Sequence, residues 1–370
     1  MNFDFSDDQK MMRDSARKFL SDRSSLKTVR KALESQDAHD ATLWAGIAEM
    51  GWLGIVVPEE FGGVGLGHLE LCMIAEEIGR ALAPVPFSSS VYLATEGLLL
   101  AGSQDQKAAW LPKLVQGAIG TMALSEGTGS PAPGTIESRV TNGLLSGTKW
   151  PVADGLIADV ALVLAKGADD RLSLYLVDMK AKGVSATILK TMDPTRSAAS
   201  VKFDQAPAQL VGAAGQGLEL VEAIQDRAAI LTAFEQVGGA QACLEMAKDY
   251  AMQRIAFGRL IGSYQAIKHK LADMYVATEL ARSNAYYGAW ALSTGAAELP
   301  VAAASARVSA SDAYHLASKE NLQTHGGMGF TWEGDCHLYY RRAKWLAHSL
   351  GTTRVWKDRL ISRLERKNAA

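Results

Sequence analysis

Three long helical stretches after Gly217 restrict the fold more than any other feature of the sequence. They are rich in Ala, Leu, Met and Glu, and their apolar residues recur every three or four positions. The stretches are Leu218–Ala256, Gln265–Leu292 and Ala302–Leu322. Helices of this length exceed the usual helix of a globular protein, and they bury their apolar faces by packing antiparallel. We therefore predict a C-terminal four-helix bundle.

The N-terminal third has the same helical period in shorter pieces. Ser6 and Gln9 form the pattern of an N-cap followed by a polar third residue. Further helical stretches, separated by glycine and proline, are Ala41–Met50, Leu69–Leu82 and Gln106–Leu114. We predict an all-helical domain here.

The middle of the chain, from about Thr121 to Leu210, has a different period. Ala158–Ala165 and Leu172–Val177 are short apolar runs bounded by Gly and Asp, and Val201–Phe203 is a weaker run of the same kind. Such runs are typical of strands in a small, mostly antiparallel sheet or barrel. The predicted fold is therefore α+β, with three domains in the order helical, β, helical: residues 1–120, 121–212 and 213–370.

Composition excludes several classes of protein. The 370 residues are 48% apolar and carry a formal charge of −2 with interspersed signs, which argues against a nucleic-acid or membrane-surface protein. Three widely spaced cysteines predict neither a disulfide framework nor a metal site. The acidic first eight residues do not resemble a signal peptide, and no run approaches the ~18 apolar residues of a membrane span. We expect a cytoplasmic protein.

The polar, glycine-rich stretch Gln323–Phe330 interrupts the helical pattern near the C-terminus. Paired glycines let a backbone approach a ligand closely, and a following helix offers free N–H groups to an anion such as a nucleotide phosphate. The alternative is a plain turn with glycines at a helix C-terminus. Within the stretch, His325 either donates to a phosphate or packs, and the sequence does not separate these two roles.

Several motifs, in this order along the chain, resemble those of the acyl-CoA dehydrogenase family of flavoproteins. Each is weak alone, but their shared order and spacing run from the first helix to about Lys357. They are the Glu60–Leu66 loop, Leu124-Ser-Glu126, Arg254-x-x-Phe-Gly258 with Gln265, Lys270–Met274 and Gln323-x-x-Gly-Gly-x-Gly-Phe330.

The resemblance implies a set of cofactor contacts. FAD would lie between the β domain and the C-terminal bundle, and a neighbouring subunit would complete the site. Arg254 resembles the arginine that neutralises the FAD pyrophosphate, a task suited to a permanently charged, bidentate donor, although an arginine on a helix surface is more often only solvated. The other residues that match family contacts are Phe257, Gln265, Thr352, Ser125 facing the flavin, and Gln323, Gly326 and Gly327 at the AMP end across the interface.

The implied activity is α,β-dehydrogenation of an acyl-CoA thioester. A carboxylate base removes the α-proton, FAD takes the β-hydrogen as hydride, and an electron-transfer flavoprotein takes the electrons. The implied assembly is a tetramer, either homomeric or formed with a paralogous subunit.

The sequence departs from the family at the catalytic base. Counting without gaps, the usual glutamate position is Leu350, and a second known position, on the preceding long helix, is Ala228. Neither side chain accepts a proton. The carboxylates that remain nearby are Glu222, Asp226, Glu235, Glu333 and Asp335. Among them Glu235 is either a relocated base or, as for most glutamates on long helices, a partner of a basic neighbour.

The β domain departs as well. The family's Thr-Glu-Pro-x-Ala-Gly-Ser-Asp motif corresponds to Ser125–Pro131, which is one residue shorter and leaves the place of Ser130 open. The family's Trp-Ile-Thr motif beside the flavin corresponds to Pro151-Val-Ala153, so that both the aromatic ring and the hydroxyl are missing.

Residues that would serve a neighbour's FAD are therefore better preserved than those that would hold the chain's own flavin ring and base. This pattern resembles subunits of the heteromeric acyl-CoA dehydrogenases of steroid side-chain degradation. Three hypotheses follow: an FAD-dependent dehydrogenase subunit, a non-catalytic partner that completes a paralogue's site, and a related flavoprotein that uses oxygen or another substrate.

Overall fold

The computed structural model describes residues 6–35 and 39–369, and it divides the chain into two compact units. The helical unit comprises Met1–Lys31, His68–Ala83 and Ala229–Ala370, and the sheet unit comprises Ala32–Gly67 and Pro84–Ala228. The expectation about a signal peptide concerns the first eight residues, of which residues 1–5 lie outside the described part.

The N-terminal region is helical, as predicted. Its helices are α1 (Asp7–Arg23), α2 (Leu26–Glu34), α3 (Ala41–Glu49), α4 (His68–Arg80), α5 (Glu96–Ala101) and α6 (Gln104–Val115). A capping box begins α1, in which Ser6 Oγ accepts from the Gln9 N–H and Gln9 Oε1 accepts from the Ser6 N–H. One element that periodicity does not predict is the π-helical segment Ser88–Thr95 before α5.

The middle region forms one sheet of eight strands, mostly antiparallel. The strands are β1 (Gly120–Ala123), β2 (Arg139–Thr141), β3 (Leu144–Ala153), β4 (Val160–Lys166), β5 (Leu172–Asp178), β6 (Val184–Ile188), β7 (Ala198–Pro207) and β8 (Gln209–Val211). They are ordered β6-β7-β3-β2-β4-β5-β8, and β1 pairs with β4 in parallel. The three predicted runs lie in β4, β5 and β7.

Both faces of β4 are buried, which explains why its sequence is continuously apolar rather than alternating. Leu162 and Leu164 pack on one face with Leu98, Leu111 and other residues of the flanking helices. Their neighbours along the strand face the opposite side of the sheet, where they pack against β3, β5 and β7.

The C-terminal region is a bundle dominated by three long helices. Its elements are α7 (Gly217–Ala251), β9 (Ile255–Ala256), β10 (Arg259–Leu260), α8 (Gln265–Thr294), α9 (Leu299–Thr324), α10 (Cys336–Ser349) and α11 (Thr353–Ala369). The prediction that the first long helix extends to Ala256 is wrong. The helix ends at Ala251, because Ile255 and Ala256 pair with β10 across a two-residue turn.

Two glycines in the helical unit bring α4 and α7 into backbone contact. A Cβ at Gly79 would lie 1.8 Å from the Glu235 carbonyl oxygen, and a Cβ at Gly238 would lie 1.9 Å from the Glu76 carbonyl oxygen. No side chain fits at either position without moving one of the helices.

The predicted fold class is confirmed: a helical N-terminal region, a small sheet and a helical C-terminal bundle follow one another along the chain. In the described part of the chain, none of the helices has the length and apolar character needed to span a membrane.

Candidate functional site

The hairpin Arg254–Gly262 extends from the end of α7 as an exposed segment of the helical unit. At its tip Phe257 and Gly258 have φ values of +52° and +76°, as a type I′ turn requires. Phenylalanine rarely adopts this left-handed conformation, and the Phe257 side chain is 97% exposed. Arg254 is exposed as well. The hairpin therefore presents a cation and a strained aromatic residue to whatever lies next to it.

The base of this hairpin is tied to the start of α8. Tyr264 Oη donates to the Ala256 carbonyl at 2.9 Å, and the Arg259 guanidinium lies 3.9 Å from the centre of the Tyr264 ring. Gln265 is the first residue of α8 and is exposed. The Tyr264 side chain does not cap this helix end. The first N–H groups of α8, which begin at Gln265, therefore have no side-chain acceptor from the N-cap residue.

The glycine-rich stretch forms a short 3₁₀ helix, Gly326–Phe330, after α9. Gly326 has a φ of +59°, and a Cβ added at Gly326 or Gly327 would meet nothing within 4 Å. The two residues therefore face open space, where a ligand can approach the backbone closely. Gln323 is exposed one turn earlier, at the end of α9.

An aromatic stack joins the end of α7, just before the hairpin, to the glycine-rich stretch Gln323–Phe330. The rings of Tyr250 and His325 lie 4.2 Å apart with an interplanar angle of 27°. Tyr250 stands one turn before Arg254, and its carbonyl accepts from the Arg254 N–H at 2.9 Å. His325 Nδ1 lies 2.9 Å from the Asn321 carbonyl oxygen. His325 thus has a packing role, and Tyr250 is a residue that no motif in the sequence singled out.

Thr352 follows Leu350 in the connection between α10 and α11. Thr352 is exposed, and its hydroxyl lies 3.4 Å from the Val355 N–H at the start of α11. Leu350 is 6% exposed, and its carbonyl accepts from Trp356 Nε1 at 2.9 Å. The position at which the family resemblance places a base is therefore a packed, apolar side chain.

The second base position and the relocated-base candidate are both fully buried on α7. Ala228 and Glu235 have no exposed surface. One carboxylate oxygen of Glu235 lies 3.8 Å from the guanidinium of Arg342, which is itself 1% exposed. Arg342 also donates to the carbonyls of Leu82 and Ala83.

A second buried guanidinium lies near Glu235. Arg307 donates to Gln236 Oε1 at 2.7 Å and to the Leu346 carbonyl near the end of α10. Burial lowers the pKa of Arg307 to about 9, although the charge of Glu235 acts in the opposite direction. These contacts give Glu235 the role of a buried counter-ion, and its complete burial excludes it from direct contact with a substrate in this structure.

The other carboxylates near the base positions are placed as follows. Asp335 pairs with Arg30 at 2.6 Å, and Glu333 and Glu222 are exposed. Asp226 is 4% exposed within the sheet unit.

The edge of the sheet at Ser125–Gly127 is held by an internal ion pair. Ser125 is half-buried, and its carbonyl accepts from the Trp150 N–H at 2.9 Å. The next residue, Glu126, lies 2.6 Å from the ammonium group of Lys149, a lysine with no exposed surface. Burial lowers the pKa of Lys149, which Glu126 opposes. Lysine is rarely buried so completely, and nothing in the sequence pattern predicts it.

The strand beside this edge is irregular where the family's Trp-Ile-Thr motif is replaced. The pairing of β3 with β7 shifts register between Lys149 and Val152, so that Trp150 and Pro151 both face outwards. Trp150 is 39% exposed, and its ring is the group nearest to a Cβ added at Gly127, at 4.0 Å. The Ala153 carbonyl accepts from Thr121 Oγ1 at 2.5 Å. An aromatic ring is thus present one residue before the expected position.

Comparison with known proteins identifies the class of this chain. Residues 6–118 match the N-terminal domain of acyl-CoA dehydrogenases, and residues 215–364 match the C-terminal domain. "Acyl-CoA dehydrogenase IpdE2" of Mycobacterium tuberculosis is 34% identical over 358 residues, which cover 96% of this chain and 97% of that protein. The chain belongs to the acyl-CoA dehydrogenase family.

Two solved structures are similar over nearly the whole chain. One is a variant of the Tcur3481-Tcur3483 steroid acyl-CoA dehydrogenase, at 29% identity and a TM-score of 0.88, covering 98% of this chain and 99% of that chain. The other is the ChsE4-ChsE5 complex of Mycobacterium tuberculosis, at 26% identity and a TM-score of 0.88, covering 100% and 99%. The predicted resemblance to subunits of heteromeric steroid acyl-CoA dehydrogenases is confirmed.

Proposed function

We propose that the chain is an FAD-dependent acyl-CoA dehydrogenase subunit that works in a heteromer, in which a paralogous subunit supplies the catalytic base. The observation that carries this proposal is that neither of the two base positions of the family holds a side chain that accepts a proton. Leu350 and Ala228 are apolar and buried, and Glu235 is a buried counter-ion of Arg342. The reaction would be α,β-dehydrogenation of an acyl-CoA thioester, with electrons passed to an electron-transfer flavoprotein.

The residues of the helical unit fit the phosphate end of FAD. Gly326 and Gly327 leave room for a ligand at the backbone, and Arg254 offers an exposed bidentate cation for a pyrophosphate. Phe257, Gln265, Gln323 and Thr352 are exposed on the same unit, and Ser125 lies at the sheet edge. When bound, FAD supplies the hydride acceptor. We assign these eight residues to cofactor binding.

The surface of the helical unit supports assembly with another subunit. Large apolar side chains are exposed at the hairpin and the glycine stretch, including Phe257 at 97% and Phe330 at 68%. On α8, Tyr275, Val276 and Leu280 are each more than half exposed. Exposed apolar surface of this kind is typical of interfaces. We propose a tetramer that contains a paralogue, because the similar ChsE4-ChsE5 structure is a complex of two chains.

The same comparison supports a proposal for the substrate class. The similar Tcur3481-Tcur3483 structure is a steroid acyl-CoA dehydrogenase, which supports a bulky, steroid-derived CoA thioester as substrate. The three-domain organisation, with boundaries near residues 120 and 212, remains part of the proposal.

Expression of the chain alone and with a paralogue tests the proposal. The paralogue is one that carries glutamate at either base position, and the measurements are flavin content and acyl-CoA-dependent dye reduction. We expect full flavin loading and turnover only in the co-expressed complex. Full loading and rapid turnover by the chain alone would contradict the heteromeric assignment.

A second candidate function is that of a non-catalytic partner that stabilises a paralogue's complete site. The apolar residues at both base positions favour it equally. Arg254→Met in this chain, studied in the complex, separates the two. A shared site loses FAD affinity, whereas a purely stabilising partner leaves the paralogue's flavin unchanged.

A further inference from the structure

A loop of ten residues, 127–136, leaves the sheet edge after Glu126 and returns at Glu137. Residues 128–130 and 133–135 are exposed, whereas Ile136 and Ser138 at the returning end are buried. The sequence of the loop is rich in Gly, Ser, Thr and Pro, which do not by themselves specify one conformation. Something other than local propensity has to fix the two ends of this loop.

The Glu126 carboxylate joins the two ends. Its Oε2 accepts from the Glu137 N–H at 2.8 Å, and its Oε1 accepts from the Ser138 N–H at 3.0 Å. Burial raises the pKa of Glu126, but the hydrogen bonds from Lys149, Glu137 and Ser138 outweigh this and hold it below its ordinary value. A single carboxylate thus closes the neck of the loop.

Lys149 fixes that carboxylate from inside the sheet unit. Its ammonium group donates to Glu126 Oε1 at 2.6 Å and to the Leu124 carbonyl at 3.1 Å. The residues on either side of Glu126 are tied to Trp150, since the Ser125 carbonyl accepts from the Trp150 N–H at 2.9 Å and the Gly127 N–H donates to the Trp150 carbonyl at 3.1 Å. The segment 124–127 is therefore held at each of its residues.

We propose that Lys149 and Glu126 are a positioning pair, which closes the neck of the loop 127–136 and holds the backbone of Ser125 in place for the cofactor. The proposal rests on the FAD-binding function proposed above. A buried ion pair is weak support for stability, since well-packed apolar residues of similar volume often replace one at no cost. Its retention next to a site residue is explained by the geometry that it imposes.

A double variant, Glu126→Gln with Lys149→Met, removes the ion pair and keeps the volumes. The matched control is Arg139→Met with Asp170→Asn, which removes an exposed ion pair of the same unit. Two measurements are made on the full chain, alone and with its co-expressed paralogue. The first is amide hydrogen exchange at Glu137 and Ser138, and the second is the FAD dissociation constant together with the visible flavin spectrum.

We expect the double variant to exchange both amides at least about tenfold faster and to bind FAD about tenfold more weakly with a shifted flavin spectrum. The control should change neither quantity, and its melting temperature should stay close to that of the wild type. Unchanged amide exchange at Glu137 and Ser138 would overturn the proposal that Glu126 closes the neck of the loop. Faster exchange with unchanged FAD binding and spectrum would overturn the positioning role.

The failure of the proposed function gives a different result. In that case the wild-type protein binds no FAD, either alone or with the paralogue. The Lys149–Glu126 pair then has no cofactor role. Amide exchange at Glu137 and Ser138 still shows whether Glu126 closes the loop. If the double variant fails to fold, Lys149→Met alone is measured in the same way, because it leaves no buried ammonium group without its carboxylate. This single variant keeps Glu126 and its hydrogen bonds from the Glu137 and Ser138 N–H groups, and it is expected to give a smaller change in the same direction.

Discussion

The sheet edge at Ser125–Gly127 and the hairpin at Arg254–Gly262 both carry residues that we propose for cofactor binding, yet they are held in opposite ways. The sheet edge is fixed from within by Lys149, which has no exposed surface, and by backbone hydrogen bonds to Trp150. The hairpin is held by short β9–β10 pairing, by the hydrogen bond from the Arg254 N–H to the Tyr250 carbonyl and by the Tyr264 contact at its base, and its tip residue is 97% exposed. The sheet edge is stabilised by contacts within its own unit, whereas the hairpin tip is exposed.

Under the proposed function, this difference explains how a chain with apolar residues at both base positions contributes to a shared site. A region that serves the chain's own ligand must be preorganised by its own packing. A region that serves a neighbour can remain exposed until assembly, because the interface then completes its packing. Mutations in the two regions should therefore differ in whether they lower stability or only binding.

The largest expected effect is on the stability of the sheet unit at the end of β3. Asp154 follows Ala153, is 3% exposed with a φ of +54°, and accepts from Ser89 Oγ at 2.6 Å and Ser197 Oγ at 2.8 Å. Asp154→Ala should lower the free energy of unfolding by about 2–4 kcal/mol, because it leaves two buried hydroxyls without this acceptor and places alanine in a left-handed conformation. Calorimetric melting measures the loss.

Asp154→Asn is the matched control for this change. Asparagine keeps an acceptor oxygen and tolerates the left-handed conformation, so most of the stability should return. Equal melting temperatures for Asp154→Ala and the wild type would show that the buried hydrogen bonds of Asp154 do not stabilise the sheet unit.

Arg254→Met should act on binding and leave stability unchanged. Loss of a charged, bidentate contact to a pyrophosphate corresponds to about 1.5–3 kcal/mol, or roughly a 10- to 150-fold weaker FAD affinity in the complex. The exposed Lys27 on α2 provides the control Lys27→Met, for which no effect is expected. FAD titration and melting on the same samples check both statements, and a lowered melting temperature without a change in affinity would reverse the comparison.

Phe257→Asn should separate the strain at the hairpin tip from its contacts. Asparagine accepts the left-handed conformation more readily than phenylalanine, so the melting temperature of the isolated chain should stay level or rise slightly. Removing the exposed ring should weaken FAD binding or assembly several-fold, by roughly 1 kcal/mol. Analytical ultracentrifugation measures assembly, and FAD titration measures cofactor affinity. Unchanged values for both would show that the Phe257 ring contacts neither FAD nor another subunit.

The smallest expected effect is on acid sensitivity. The pKa of Glu126 is lowered in the folded protein from an ordinary value of 4.5. Between these two pKa values the unfolded chain binds the proton more readily, so the stabilisation is complete above about pH 4.5 and is lost as the pH falls through the folded pKa. Glu126→Gln should flatten this part of the melting temperature profile. An identical acid limb in both proteins would show that the pair adds nothing to stability.

The long elements could be predicted from the sequence because their periodicity extends over many residues. The helical stretches on α8 and α9 and the apolar runs in β4 and β5 were all found in this way. The end of α7 was misplaced by five residues, because a two-residue hairpin turn with phenylalanine at its first position does not match the usual Asn-Gly or Asp-Gly signal.

The candidate site could be predicted only where a motif marks it. Cofactor contacts at Arg254, Gly326 and Gly327 were predicted from the order and spacing of the family motifs, and they remain predictions. The Tyr250–His325 stack and the burial of Lys149 were not, because both depend on contacts between residues distant in sequence. The sequence does not predict the position of the Trp150 ring for a different reason. The pairing of β3 with β7 shifts by one residue here, so the outward-facing aromatic side chain lies at position 150, whereas gapless counting expects it at position 151.

The crossing of α4 and α7 has a consequence for how the gene tolerates change. Every amino acid that a single-nucleotide change can introduce at a glycine codon carries at least a Cβ. At Gly79 and Gly238 that one carbon would lie 1.8–1.9 Å from the backbone of the facing helix. The least substitution that the genetic code allows at either position therefore separates two helices, and natural sequence variation at this crossing should be confined to silent codons.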